Sequence, residues 1–358
     1  MYVVGTRARL RGLKQWLGST MARDLRIASL DGLRGIAASA VVYAHIEFFY
    51  PTINPWIKLN TGDVAVAIFF SLSGFLMALL YGERRFDAAD YLVHRFARIY
   101  PVYLVSVLFV AALTAIYGNG YVYPIEGMEQ LLRHVLLIGS TGVFWSIPPE
   151  IQFYLFFLLI WLWLLDPRRY QLVAVATATF LVVDAFFGFP GPGILLTSKL
   201  PYFLFGALAG RLFALQKTHP DGTGTGIAVL GLLVFFMLAQ GVFPPKTSFW
   251  GLTSALTATM IVYFAACNNR LSAAVLGCKP LTFIGRISFS LYLFHLPVIF
   301  LGMKAFDGVM PLEAALAVSI VIAYIVAWMC YTLIEDPSRR FVIGLWRTRR
   351  QKLPVAAE

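Results

Sequence analysis

The first long apolar stretch of the chain contains two ionisable side chains that can do chemistry. His45 carries an imidazole, which can take a proton or attack an activated carbonyl at neutral pH, and Arg34 lies eleven residues before it. In a helix this spacing turns through about 1100°, so both side chains share one face about 16 Å apart. Insertion of an ionisable group in such a span costs about 2.5–3.5 kcal/mol. Such residues are retained when they are paired, solvated by a cavity or needed for function. We expect Arg34 and His45 to lie along one polar path; a structural bond from His45 to a neighbouring helix is the alternative.

Three more polar side chains fall in later apolar stretches. Glu150 follows a Pro-Pro pair at the start of one stretch, and we expect it at the depth of His45. It can orient or polarise His45, contact a substrate, or stabilise the positive end of a helix dipole. Tyr292 and His295 share one face of another stretch. They can surround a tunnel, donate to a developing oxyanion, or bond a neighbouring helix.

A pair of arginines precedes the third apolar stretch. Arg95 and Arg98 are three residues apart, and guanidinium groups at that spacing can bind a phosphate bidentately. The same pattern is also typical of positive charges that fix the orientation of a membrane helix. The sequence leaves both interpretations open.

Composition places these residues in a membrane protein. Hydrophobic residues make up 59% of the chain and charged residues 13%, with a mean hydropathy of +0.75. Because a soluble domain averages about 25% charged residues, most of this chain must lie in lipid. The net charge of +11 is spread between apolar runs rather than gathered in a patch, which argues against a nucleic-acid partner. Three cysteines without a C-x-x-C pair indicate neither a disulfide framework nor a metal site.

The apolar runs predict an all-α integral membrane protein, a bundle of about ten transmembrane helices. A span needs about 20 apolar residues. Ten stretches qualify: 28–49, 63–81, 98–117, 144–165, 170–188, 195–215, 225–242, 249–267, 286–304 and 312–334. The run at 128–139 is too short to span and is expected to be re-entrant or a surface helix.

Basic residues predict the orientation. The ten spans divide the loops into two sets on opposite faces of the membrane. Of the 29 lysines and arginines, 23 fall on the set that includes both termini, five fall on the other set, and Arg34 lies within the first span. This excess places both termini in the cytoplasm. We expect a basic N-terminal arm at 1–27, a transmembrane domain at 28–336 and a basic tail at 337–358. Met21 is an alternative to Met1 as the start of the native chain, because the first span follows it closely.

Six motifs, in order, resemble acyltransferase family 3, the polytopic acyl-CoA-dependent acyltransferases. They are LDGLRGIAASAVVYAH at 30–45, GDVAVAIFFSLSGFL at 62–76, HRFARIYPVY at 94–103, FWSIPPEIQFYL at 144–155, GRISFSLYLFHLPV at 285–298 and YTLIEDPSRR at 331–340. Together they cover most of the chain. One departure is Pro148-Pro149, where the family usually has small or aliphatic residues before the glutamate, and this puts the local backbone at Glu150 in question.

The resemblance implies transfer of an acetyl or other short acyl group from cytoplasmic acyl-CoA to a carbohydrate hydroxyl at the outer face of a bacterial inner membrane. Acetyl-CoA is then a cosubstrate, and no permanently bound cofactor or metal is expected. The implied catalytic residues are His45, as general base or acyl-accepting nucleophile, and Glu150. The residues implied for acyl-CoA are Arg34, Ser73, Arg95, Arg98, Tyr292 and His295, and those implied for the acceptor are Asp63, Trp145 and Gln152.

A transporter or flippase for a lipid-linked saccharide is the rival class. Ten spans with ionisable groups suit a permeation path. Transporters often contain two-fold repeats, and no such repeat is evident in the sequence.

Overall fold

The computed structural model describes residues 27–50, 61–188, 193–216, 218–220, 222–242, 249–267 and 269–352. Every regular element in these residues is a helix. The predictions for the N-terminal arm, apart from Ile27, and for Met21 lie outside the described residues, as does the end of the tail from 353 onward.

Thirteen α-helices run through the described residues. In chain order they are α1 (Ala28–Ile46), α2 (Thr61–Tyr81), α3 (Ala88–Tyr117), α4 (Gly127–Val135), α5 (Ile147–Leu165), α6 (Gln171–Phe187), α7 (Leu200–Leu215), α8 (Thr223–Val242), α9 (Leu252–Ala266), α10 (Arg270–Val275), α11 (Lys279–Ala305), α12 (Leu312–Cys330) and α13 (Asp336–Lys352). Short 3₁₀ turns lie at Gly118–Gly120, Gly142–Ser146 and Leu196–Ser198.

Each of the ten predicted stretches contains one of these helices, so the all-helical fold is confirmed. By length and composition, five helical stretches can cross a membrane: Thr61–Tyr81, Ala88–Gly120, Gly142–Leu165, Lys279–Ala305 and Leu312–Gln351. Four apolar helices are shorter: Gln171–Phe187, Leu200–Leu215, Thr223–Leu238 and Leu252–Ala266. The run at 128–139 contains the short helix α4, in keeping with the expectation that it does not span.

The C-terminal segment is part of the folded body. A π-helical turn at Tyr331–Glu335 joins α12 to α13, and α13 packs along the start of α3. Arg350 forms a 2.7 Å ion pair with Asp87, and Trp346 donates its indole N–H to Asp90 at 3.1 Å. The predicted basic tail is therefore largely a helix tied to the beginning of α3.

Helices α1, α2 and α11 form the centre of the bundle. Helix α2 packs most closely against α7, and α11 packs against both α1 and α12. Glycine allows α1 and α11 to touch: a Cβ added to Gly285 would lie 1.8 Å from the carbonyl oxygen of Asp31, and one added to Gly35 would lie 2.3 Å from that of Leu281. Small residues of this kind let membrane helices approach at backbone distance.

Candidate active site

The glycine contact between α1 and α11 sets the position of two histidines. The helices run parallel, since later residues of α1 meet later residues of α11. His45 lies ten residues after Gly35, and His295 lies ten residues after Gly285. Equal rises of about 15 Å from one crossing point bring the two imidazoles to the same level.

His45 and His295 form a hydrogen-bonded pair. The Nε2 atom of His295 lies 3.1 Å from Nδ1 of His45. Each Nδ1 also contacts the carbonyl oxygen four residues earlier on its own helix, at 2.8 Å from Val41 for His45 and 3.0 Å from Leu291 for His295. His295 is fully buried, whereas His45 is partly exposed.

These contacts assign the tautomers of the neutral pair. A carbonyl oxygen only accepts, so Nδ1 of His295 carries a proton and donates it to Leu291, which leaves its Nε2 as an acceptor. Nδ1 of His45 faces two acceptors, Val41 O and His295 Nε2, and must also carry its proton. The opposite assignment would set two nitrogen lone pairs against two carbonyl oxygens. The free lone pair of the pair is therefore on Nε2 of His45, where a base or a nucleophile needs it.

A cavity of about 750 Å³, including part of its open mouth, lies between the helices, and the ring of Tyr292 in its wall is 6.4 Å from that of His295. The polar residues in its wall are Arg34, Ser73, Arg95, Arg98, Ser146, Glu150, Tyr154, Ser288 and Tyr292. Six of the predicted site residues thus share a single wall, although they come from α1, α2, α3, α5 and α11. His45, His295, Asp63, Trp145 and Gln152 are not part of that wall.

Arg95 is buried without an acidic partner among the described residues. Its guanidinium lies 5.7–5.9 Å from the ring centres of Tyr81, Tyr91 and Tyr154, and it donates one hydrogen bond to the hydroxyl of Tyr81 at 3.3 Å. Its Nε and Nη1 atoms have no hydrogen-bond partner among the described residues. A cation held by aromatic faces, with donors to spare, fits an anionic ligand in the cavity.

Arg34 and Arg98 complete the cationic wall. Arg34 is 3.6 Å from the carboxylate of Asp31, one turn earlier on α1. Arg98 is half-buried one turn after Arg95. Three arginines around one cavity favour the phosphate-binding interpretation of the R-x-x-R pair over a purely topological one.

Glu150 lies in the first turn of α5, and the two prolines before it occupy positions where a helix needs no N–H. The local backbone that the motif left in question is thus a regular helix start. The Glu150 carboxylate accepts hydrogen bonds from Tyr154 at 2.5 Å and Ser73 at 3.3 Å.

The expectation that Glu150 shares the depth of His45 is wrong. The hydroxyl of Thr61, at the start of α2, bonds the carbonyl of Ala40 on α1. Ser73, the partner of Glu150, lies twelve residues farther along α2, about 18 Å by helix rise. Because α1 and α2 are antiparallel here, Glu150 is level with the Arg34 part of α1, and the contact that His45 makes is with His295.

Tyr292 stands between the cavity and the histidine pair. Its hydroxyl donates to the carbonyl of Val143 at 2.7 Å and accepts from Ser146 at 2.8 Å, and its ring centre is 6.4 Å from that of His295. His295 itself is outside the described cavity wall. Tyr292 thus forms the part of the cavity wall that faces the histidine pair, and His295 lies directly behind it.

A family model described as an acyltransferase domain matches residues 27–332. The chain belongs to this acyltransferase family. The match confirms the family that the six motifs indicate.

Curated relatives of this chain carry related names. O-acetyltransferase OatA of Staphylococcus aureus is 25% identical over 356 residues, covering 88% of this chain and 57% of that protein. Acyltransferase MdmB of Streptomyces mycarofaciens is 28% identical over 366 residues, covering 89% of this chain and 93% of that protein. The chain thus spans little more than half the length of OatA. No solved structure matches it.

The three residues predicted to contact the acceptor lie outside the wall of the arginine-containing cavity. Trp145 precedes Ser146, and its indole packs 5.6 Å from that of Trp250. The Gln152 amide donates to the carbonyl of Ile194 at 3.1 Å and accepts from the N–H of Leu196 at 2.8 Å, so it holds the backbone before α7. Asp63 lies in the first turn of α2.

Sequence reasoning missed several residues of the site. Of the three tyrosines around Arg95, only Tyr154 has a local signal, because it follows Glu150 at the i,i+4 spacing of helix neighbours. Tyr81 and Tyr91 contact Arg95 without a spacing that indicates this contact. The direct contact between His45 and His295 joins residues 250 positions apart and leaves no local signal.

Proposed function

We propose that this acyltransferase moves an acetyl or other short acyl group from acyl-CoA in the cytoplasm to a carbohydrate hydroxyl at the opposite face of a bacterial inner membrane. Ten helices would cross the bilayer, with both termini cytoplasmic, as the distribution of basic residues predicts. The observation that carries the proposal is the His45–His295 pair, which lies behind Tyr292, a residue in the wall of a cavity that also contains three arginines. The family membership and the O-acetyltransferase relatives support the reaction class.

The donor would bind with its phosphates at Arg95 and Arg98. Arg95 has two donor nitrogens, Nε and Nη1, without partners among the described residues, and its guanidinium is held by aromatic rings, so an anion can bind there without reorganising the wall. The thin pantetheine arm would then run past Arg34 and Ser73 toward Tyr292. Movement of the Tyr292 side chain would open the short remaining distance to the histidines.

In the direct mechanism, His45 acts as general base. Nε2 of His45 takes the proton of the acceptor hydroxyl as the oxygen attacks the thioester carbonyl carbon. The C–S bond breaks, the new C–O bond remains, and the thiolate of CoA takes up the proton from His45. While His45 is an imidazolium, its Nδ1–H donates to Nε2 of His295, which stabilises the charge without accepting the proton.

The covalent mechanism uses the same lone pair. Nε2 of His45 would attack the thioester, release CoA, and hold the acyl group as an acyl-imidazole until the acceptor hydroxyl arrives. Incubation with radiolabelled acetyl-CoA in the absence of acceptor distinguishes the two mechanisms. Label retained on the wild-type protein and absent from His45→Ala indicates the covalent route, whereas no label on active wild type indicates direct transfer.

The proposal is tested with purified protein in detergent, acetyl-CoA and a mixture of bacterial envelope saccharides. We expect acetyl transfer by the wild type and none by His45→Ala of equal thermal stability. Arg95→Ala with Arg98→Ala should raise the KM for acetyl-CoA. Replacement of Arg340, an exposed arginine of α13, by alanine should leave that KM unchanged. Full activity of His45→Ala refutes the proposal, and saccharide movement without acyl transfer would indicate the transporter alternative.

A further inference from the structure

A lysine is buried between two tryptophans near the turn that precedes α7. Lys199 is 5% exposed, and its ammonium lies 3.7 Å from the ring centre of Trp250 and 5.7 Å from that of Trp145. The two indoles are 5.6 Å apart at an interplanar angle of 78°. They form two walls of a box, and the ammonium occupies the corner between them.

Several hydrogen bonds hold the backbone of this turn in place. Gln152 on α5 binds the carbonyl of Ile194 and the N–H of Leu196, and the N–H of Lys199 donates to the carbonyl of Leu196 at 2.8 Å. Tyr202 packs its ring 5.4 Å from Trp250. These contacts fix the backbone before Lys199 and one of the two indoles beside its ammonium.

The charge of Lys199 is not matched by an ion pair within the described residues. Asp63 attracts the ammonium electrostatically, yet none of the described ion pairs includes Lys199. Burying a charge costs more than cation–π attraction returns. An anion between the indoles would compensate that cost.

Ordinary topological anchoring does not explain this lysine. Lys304, at the end of α11, is exposed, as expected of a lysine that extends toward water at the end of a helix. Lys199 instead lies beneath aromatic rings. Burial of its ammonium therefore costs desolvation free energy, which a lysine with its ammonium in water does not lose.

The box adjoins the donor cavity. Phe70 lies in the cavity wall and packs 6.3 Å from Trp145 and 6.4 Å from Trp250. Trp145 is followed directly by Ser146, which forms a hydrogen bond with Tyr292 in the wall of that cavity. A ligand in the box would thus be one aromatic ring away from the donor and on the side of Tyr292.

We infer that Lys199, Trp145 and Trp250 form the acceptor subsite and that it takes a saccharide carrying an anionic group, a carboxylate or a phosphate. The ammonium would bind the anion, and the apolar face of the sugar ring would pack against an indole. This inference rests on the proposed acyl transfer, because it names the acceptor class of the same site.

The first experiment measures binding by calorimetry to the purified full-length protein, so it does not depend on acyl transfer. The probes are cellobiose, cellobiouronic acid and cellobiose 6-phosphate, which share a sugar frame and differ in charge. One charge-assisted hydrogen bond corresponds to roughly tenfold or more in affinity, so at least one anionic probe should bind about tenfold tighter than cellobiose. The stronger of the two anions identifies carboxylate or phosphate.

The variants assign that preference to Lys199. Lys199→Met keeps the length of the side chain and should abolish the anionic preference, Lys199→Arg should retain much of it, and Lys304→Met should leave it unchanged. In the transfer assay Lys199→Met should raise the KM for the anionic acceptor without changing that for acetyl-CoA. Equal binding of all three probes by wild type, or an intact preference in Lys199→Met, overturns the inference. Anionic preference without any acyl transfer would instead refute the proposed function alone.

Discussion

Replacing His295 separates its role from that of His45. His295 is not one of the residues in the cavity wall, and its Nε2 accepts from His45 at 3.1 Å. If that contact stabilises the imidazolium of His45 in the transition state, its loss removes one charge-assisted hydrogen bond, worth about 1.5–3 kcal/mol. At 1.36 kcal/mol per factor of ten, kcat should fall roughly 10- to 150-fold.

Two variants of similar size make the test specific. The amide of His295→Gln reaches about as far as Nε2 and can accept from His45, whereas the amide of His295→Asn ends near Nδ1 and can reach only the carbonyl of Leu291. His94→Asn is the matched control, because His94 makes the same bond to the carbonyl four residues earlier, at 2.7 Å, without a histidine partner.

The assay is steady-state acetyl transfer from acetyl-CoA by purified protein, with thermal stability measured in parallel. We expect His295→Asn to lose kcat, His295→Gln to retain more of it, and the KM for acetyl-CoA to be unchanged in both. Wild-type kcat in His295→Asn, or equal losses in both variants at equal stability, would refute the account of the histidine pair.

Three further predictions concern the scaffold. Gly285→Val should abolish activity and lower the melting temperature, because its Cβ would lie 1.8 Å from a backbone oxygen of α1, whereas Gly231→Ala, which meets nothing within 4 Å, should be tolerated. Tyr292→Phe removes the hydrogen bonds of the hydroxyl to the carbonyl of Val143 and to Ser146, and should cost about 1–3 kcal/mol of stability, measured by denaturation in detergent. Gln152→Leu removes two hydrogen bonds to the turn before α7 and should increase proteolysis there; an unchanged cleavage pattern would contradict its assigned role.

The lipid environment made much of the fold predictable. A span must satisfy its backbone internally, so apolar length alone predicts a helix, and the ten stretches follow. The shared face of Arg34 and His45 and the R-x-x-R pair follow from helical spacing and place two parts of the site. These are local properties of the chain.

Depth and pairing between helices were not predictable in the same way. Glu150 was misplaced because the residues before α5 run inside the bundle, where Tyr292 bonds the carbonyl of Val143 and Tyr103 bonds that of His134. A segment that enters the bundle shifts the level at which the next helix begins. The His45–His295 contact likewise depends on the glycine crossing of α1 and α11, which only packing determines.

The proposed reaction requires a donor whose phosphates bind the arginines of the cavity while its acyl group reaches the lone pair of His45. A structure of the protein with a non-hydrolysable acetyl-CoA analogue tests it most directly. We expect phosphate oxygens within hydrogen-bond distance of Arg95 and Arg98, with the acyl carbonyl carbon beside Nε2 of His45. An analogue bound with its nucleotide at the His45 end of α1, or with its acyl carbon away from His45, would contradict it.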